Sequence, residues 1–463
     1  MASEFAARNG GRVGVAALIA ILLLGLGLRL HEAWDGRAPV YDAAAYAAIA
    51  ANLERGEGFT VGPSATQPSS NYSPGLPLFV AGTYELTGGV HERTARVVLA
   101  LIGTLSILFT YAIGRRLRSP AAGLIGAGCV AIYPALLEYQ GMLMSEPLAA
   151  TLLSASVLSL LWAGGVDRSR PSRGCPEGGG PRTNTSPAGS PPSGRAPRAT
   201  WLRWLLPGLL LGATAMVRPE YLGIAALLAL VVFARTARAD WRRGLAQAAI
   251  VLAGVALVVL PWTVRNMVAL DRAVPISTGG GQVLFAGTYL PSDGDPERVG
   301  AEVVERHPEL FGANAVERLR LEQILTRLAA QRYPDLETDQ ALSRMGKDQL
   351  WDDLSGQPLE YAGFVATKVW RVWSQGPREV MEEPLWRAFQ LVLVVLGLLG
   401  LGLLAWRRRW EALVLATVFL GVTALSAVLV ASPRRVLVLV PLVAALAGVA
   451  ATWVADRLSP GRT

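Results

Sequence analysis

VYDAAAYAAIAANLERGEGFTVGPSATQPSSNYSPGLPLFVAGTY, residues Val40–Tyr84, follows the first membrane-length apolar run of the chain and decides how the rest is read. Asp42 stands just beyond that run, and Tyr46, Ile49, Ala50 and Leu53 follow it at helical spacing. A carboxylate there lies at the membrane–water boundary, where a polar headgroup is within reach while its lipid tail stays in hydrocarbon. Two roles are open to it. It caps a short interfacial helix, since aspartate is favoured at helix N-termini and near the positive end of the helix dipole, or it acts on a lipid-linked substrate. Pro74–Thr87 is apolar but too short to cross a bilayer, so it reads as a second interfacial or re-entrant helix.

Composition sets the class. Of 463 residues, 52% are hydrophobic and only 17% charged, against about a quarter charged in soluble domains. Repeated apolar runs predict an all-α polytopic membrane protein of about ten spans, because a helix satisfies its own backbone within hydrocarbon and needs roughly twenty residues to cross it. The net charge of +8 does not signal nucleic acid, since the arginines stand beside apolar spans, where cytoplasmic loops concentrate them. Two cysteines, Cys129 and Cys175, give neither a disulfide framework nor a metal spacing. Three histidines, His31, His91 and His307, argue against a histidine-rich zinc site.

The chain divides into five stretches. Residues 1–165 hold the first four spans and the outer loop 31–93. Residues 166–200 are rich in Pro, Gly, Ser and Arg and are expected to form a disordered cytoplasmic linker. Spans five to seven occupy 201–264, a polar and largely helical extracytoplasmic region occupies 265–386, and spans eight to ten occupy 387–463. The first run, Val13–Leu30, lacks a small-residue cleavage pattern and is read as a retained helix. Arg115, Arg116 and Arg118 mark the turn between the second and third spans as cytoplasmic. Both termini are therefore expected in the cytoplasm and the first loop outside, in a bacterial plasma membrane.

On that topology Asp42, Glu138, Glu146, Arg218, Glu220, Arg265, Arg434 and Arg435 all fall at the outer ends of different spans. Ionisable groups at such depth are expensive unless paired or functional. Mutual salt bridging is one reading. The other is a site where arginines hold a phosphate and a carboxylate handles a proton. Arg218, with only Glu220 near it in sequence, is expected to be the foremost phosphate contact, with Arg265, Arg434 and Arg435 beside it.

The series D-x3-Y-x2-IA-x-NL-x2-G-x-GF, YSPGLP, MSEPL, VRPE and PWTVRN, in this order, resembles the GT-C superfamily of integral-membrane glycosyltransferases. The likeness is to the branch of protein O-mannosyltransferases, lipid A aminoarabinose transferases and Rgt-like transferases. It implies transfer of a sugar from a polyprenyl-phosphate donor to a lipid, polysaccharide or protein acceptor on the extracytoplasmic face. It also implies Asp42 as catalytic base, Glu146 as a second acid that supports it or shares a divalent cation with it, and Arg218 on the phosphate. Tyr46, Tyr72, Ser73, Glu138 and Glu220 are the accompanying loop residues. The chain departs from the pattern in having Asp42-Ala43 where relatives often have two acids, and Tyr72-Ser73 where aminoarabinose transferases have an acid and lysine. Both departures weigh against a metal and towards arginine. A single carboxylate suffices for displacement with inversion. A polyisoprenoid-lipid flippase, or an inactive scaffold, is the alternative; a flippase would place charges in the middle of spans, not at their ends.

Overall fold

The computed structural model describes residues 2–36, 38–61, 68–165, 202–295, 297–312 and 315–459. The expected linker at 166–200 lies outside the described residues. Among the described residues there are helices and no β-strand. Seven helices of the described residues are long and apolar enough to cross a membrane: α1 (Ala2–Asp35, apolar from Arg12), α4 (Glu92–Leu117), α7 (Ser145–Gly165), α10 (Trp241–Leu270), α17 (Pro384–Trp406), α18 (Trp410–Val428) and α19 (Arg434–Leu458). An eighth span is broken, α5 (Pro120–Ala131) and α6 (Pro134–Gly141) meeting at 49°. Two apolar helices are shorter, α8 (Leu205–Val217) and α9 (Tyr221–Ala237). The chain is an integral membrane protein.

The break explains a charge that the first span conceals. Pro134 has no N–H to return to the carbonyl of Val130, four residues earlier, and such a carbonyl in hydrocarbon needs another donor. Arg29, buried within α1, supplies it: one guanidinium nitrogen reaches Val130 O at 3.1 Å and the other bonds Gly25 O in its own helix. Helix α19 forms the centre of the bundle. From Val436 through Ala450 it is apolar on every side and correspondingly buried, packing on α4, α5, α7 and α17. A Cβ at Gly448 would lie 2.0 Å from Ala122 O, so this crossing depends on the absence of a side chain.

The bundle has two unlike ends. At one, Arg116 donates to Leu161 O, Arg235 to Gly164 O and Arg409 to Leu117 O, while Arg118 pairs with Asp456. The other end carries the first loop and the polar region. Short helices α2 (Asp42–Glu54) and α3 (Gly75–Thr87) lie there, so the segment too short to cross does form a helix. Helices α11 (Gly280–Thr288), α12 (Arg298–Arg306), α13 (Ala315–Arg318), α14 (Leu321–Arg332) and α15 (Thr338–Gly356) enclose a small core of their own around Phe285, Val303, Leu325 and Leu342. The amphipathic α16 (Pro358–Ser374) joins them to the bundle through Lys368, whose ammonium donates to Gly287 O and Ala427 O.

Candidate active site

The motifs become turns that converge at one end of the bundle. Tyr41, with φ of 51°, precedes α2, and Asp42 is the first helical residue. The capping role open to Asp42 is not what its side chain does. One of its carboxylate oxygens, Oδ2, instead accepts from Arg434 Nη1 at 2.9 Å. After α2, Gly56 and Gly58 both take φ of 76° and reverse the chain, and Asn52 pins the returning segment by donating to Thr60 O and Oγ1. In YSPGLP the glycine matters by size: a Cβ at Gly75 would meet the backbone nitrogen of Val217 at 2.7 Å, next to Arg218.

Arg434 is the hinge of the site. Its Nε donates to Glu146 Oε1 at 2.6 Å, and the same carboxylate oxygen accepts from Arg218 Nη2 at 2.7 Å. Arg218 Nη1 continues to Glu220 Oε1 at 3.1 Å. The chain of charges Asp42–Arg434–Glu146–Arg218–Glu220 thus alternates in sign from end to end. Expected at a turn with one acidic neighbour, Arg218 is in fact held between two carboxylates. Burial opposes its charge, but Glu146 and Glu220 outweigh that and hold it cationic beyond an arginine's ordinary range. Glu146 has no exposed side-chain surface, whereas the Asp42 side chain keeps 40% of its own.

Arg435 differs from its neighbour. Its Nη1 donates to Val430 O, and among the described residues it makes no ion pair. Arg265 is not brought to the cluster. It stacks over Trp262 and Phe59 and donates to Ser69 O and Phe59 O, while Trp262 and Asn266 bond Ile276 O. PWTVRN is therefore a clamp on two loops. Glu138 pairs with Arg378 on the rim. Tyr46 stacks edge-on against Tyr72 at 5.6 Å, and burial, with Asp42 next in effect, pushes its phenol up, so it remains a hydroxyl donor.

Two clefts meet at Asp42, Ser73, Pro219, Glu220 and Arg435. The smaller, about 240 Å³, also holds Tyr46, Arg218 and Arg434. The larger, about 780 Å³, is walled by Asn71, Tyr72, Thr278, Gln282, Glu322 and Asp339 among others, most of them hydroxyls, amides and acids. Its glycine-rich wall is fixed by Asp339, whose Oδ1 accepts from Gly279 N and Gly281 N. Thr278 ties that wall to the first loop through Ser70 O and Asn71. Sequence reading missed Tyr139, whose ring lies under Arg434 at 5.7 Å, and the Thr278–Asp339 wall. The GGG run was the one signal for the latter.

The site does not fit the divalent cation allowed by the resemblance. Between Asp42 and Glu146 stands the guanidinium of Arg434, and Glu146 Oε1 is already shared by two arginines. Among the described residues no three His, Cys, Asp or Glu side chains gather in one place.

Residues 69–171 match the family described as dolichyl-phosphate-mannose-protein mannosyltransferase. That span includes YSPGLP and MSEPL but not Asp42, Arg218, Arg434 or Arg435. No curated protein matches the chain. Among solved structures, the archaeal oligosaccharyltransferase AglB from Archaeoglobus fulgidus, in complex with an inhibitory peptide and a dolichol-phosphate, aligns with a TM-score of 0.57 at 17% identity, over 96% of this chain and 50% of that one. The chain has the GT-C fold. A second structure of the A. fulgidus enzyme, with Zn and sulfate, aligns with a TM-score of 0.55 at 14% identity over 96% of this chain and 49% of that one. ArnT from Cupriavidus metallidurans, bound to undecaprenyl phosphate, aligns over 98% of this chain and 81% of that one at 14% identity with a TM-score of 0.40. The chain spans about half the length of the archaeal oligosaccharyltransferase it matches. The resemblance to GT-C glycosyltransferases read from the motifs is thus met by a family match and by the fold.

Proposed function

We propose that this chain is a membrane glycosyltransferase that moves a sugar from a polyprenyl-phosphate donor to a hydroxyl or amide of an acceptor, with inversion. One observation carries the reading. Asp42 is the most exposed member of a charge network centred on the buried Glu146, and it stands where the two clefts join. Its Oδ2 is anchored by Arg434, while among the described residues Oδ1 has no hydrogen-bond partner. The anchor orients the base and leaves it an oxygen to work with.

In the proposed step the acceptor O–H or N–H lies in the larger cleft and attacks the anomeric carbon. The proton passes to Asp42, the bond from anomeric carbon to phosphate oxygen breaks, and the polyprenyl phosphate leaves with the electron pair. Negative charge grows on that phosphate, so a cation beside it stabilises the transition state selectively. Arg435 suits this role, because its guanidinium donates to a backbone carbonyl and, among the described residues, makes no ion pair. Arg434 and Arg218 hold Glu146 and the base in place, and Glu146 is a positioning residue. Glu220, the other carboxylate at the junction, is paired with Arg218, and with Asp42 as the base a single displacement is the route that requires no second nucleophile. The arginine-rich end suits the cytoplasm, which favours transfer on the extracytoplasmic face.

The test is transfer itself. Purified protein is incubated with synthetic polyprenyl-phosphate sugars and with lipid, polysaccharide and peptide acceptors. Mass spectrometry reads the glycosylated product, and NMR reads the configuration of the new bond. An inverted linkage that is lost in Asp42→Asn supports the proposal; retained configuration, or transfer undiminished in that variant, overturns the mechanism.

A further inference from the structure

The arginine-rich end, opposite Asp42, carries two adjoining cavities that the proposed reaction does not use. A basin of about 630 Å³ at the ends of α4, α17 and α19 is lined by Arg116, Arg118, Arg407 and Arg409, with Asp456 the one acid on its wall. A groove of about 590 Å³ between α17 and α18 begins at Arg408 and Arg409 and continues over Leu398, Leu401, Ala405 and Leu413 without another polar side chain. Arg409 lines both. Asp456 is spent on Arg118, and Glu411 on Arg409 at 3.1 Å. Arg407 and Arg408 are exposed, and among the described residues their side chains have no hydrogen-bond or ion-pair partner.

Cytoplasmic bias explains arginines at this end but not their convergence on a cavity that opens into an apolar groove. Charge and hydrocarbon at that junction match one chemistry, a phosphate diester carrying acyl chains. Basic pockets between spans hold such headgroups, and guanidinium binds phosphate through paired N–H donors. We infer that this end binds an anionic phospholipid, its phosphate among Arg407, Arg408 and Arg409 and one acyl chain along the α17–α18 groove. The site is independent of the sugar chemistry at the other end.

Native mass spectrometry of the full chain from a neutral detergent tests this, with phosphatidylglycerol, phosphatidylcholine and glycerol phosphate at equal concentration. Wild type is expected to retain phosphatidylglycerol roughly ten- to thirty-fold more than phosphatidylcholine, the scale of two unpaired arginines facing one anion. A double substitution, Arg407→Gln with Arg408→Gln, should bring the two lipids level without lowering the lipid-free thermal midpoint, since neither side chain has a partner to lose among the described residues. Gly402→Phe tests the tail: Gly402 lines the groove and a Cβ there would meet nothing within 4 Å, so the ring is expected to occupy groove space and to lower retention of phosphatidylglycerol with every arginine intact. Equal retention of both lipids by wild type, or unchanged preference in the double variant, overturns the headgroup site. Glycerol phosphate competing as well as the lipid, or full retention in Gly402→Phe, overturns the part assigned to the groove.

Discussion

Arg434 Nη1 donates to Asp42 Oδ2 across 2.9 Å, joining the first residue of α2 to the first residue of α19 over a sequence separation of 392. The bond makes a sharp prediction for Asp42→Asn. Asparagine keeps the size, accepts from Arg434 through its amide oxygen and serves equally at a helix N-terminus. Folding and donor binding are therefore expected to be normal, while loss of a proton acceptor lowers turnover by roughly 10² to 10⁴. Both quantities are measured on one preparation, and near-normal turnover moves the base elsewhere.

Glu146 should behave in the opposite way. It is the buried carboxylate between two arginines, so Glu146→Gln leaves two guanidinium groups short of a counter-charge. Breaking a buried pair on one side costs about 3 to 5 kcal/mol. A lowered thermal midpoint and poor yield are expected, with whatever folds retaining some transfer. A stable and wholly inactive variant would instead make Glu146 a catalytic group.

Much of this was legible in the chain. Apolar runs marked the spans, and period and turn residues marked α2 and α3, because hydrophobic patterning is local information. The clustering of Asp42, Glu146, Arg218, Glu220, Arg434 and Arg435 at one end followed from counting spans. Partners did not follow. Nothing in VRPE says that Arg218 lies between two acids, since Glu146 reaches it from another helix and Arg434 arrives 288 positions after Glu146. Arg265 looked like its neighbours because it too ends a span, yet its guanidinium is committed to loop carbonyls. Arg29 is the clearest case: its purpose depends on a proline more than a hundred positions later.

Lys368 offers a pH test of how the polar region is docked. It is buried with its ammonium on two backbone carbonyls, and burial, assisted by Arg435, pushes its pKa down from 10.5 to about 7. Between those values the unfolded chain binds the extra proton, so stability should rise with pH from about 7 and be flat below it. Thermal midpoints of wild type and Lys368→Met, compared in one detergent from pH 6.5 to 9.5, should diverge in favour of wild type as pH rises. A constant difference would mean that the two carbonyls keep the lysine charged.

Chelation should have no effect. Arg434 supplies positive charge between Asp42 and Glu146, where a cation would otherwise have to sit. Transfer measured after extended treatment with EDTA, and again after adding Mg²⁺ or Mn²⁺, is expected to stay within about twofold, a change too small to count as loss of a group that stabilises the transition state. Loss on chelation with recovery on one metal would mean that Arg434 swings away on donor binding.

Arg435 and Arg218 divide the remaining question between phosphate binding and support. Arg435 is near neither Asp nor Glu by ion-pair distance among the described residues, while Arg218 has two such partners. Arg435→Gln should therefore weaken donor binding by about 2 to 5 kcal/mol, the usual loss when one side of a buried charged hydrogen bond is removed, with the thermal midpoint little changed. Arg435→Lys should recover part of it, because an ammonium cannot make the paired contact. Arg218→Gln should show the reverse, a lower midpoint with donor affinity of the folded fraction nearly intact. Equilibrium binding of a non-transferable polyprenyl-phosphate sugar analogue separates the two. If Arg218→Gln loses the donor and Arg435→Gln does not, the phosphate must displace Glu146 or Glu220 from Arg218, and the charge network is part of the binding site instead of its frame.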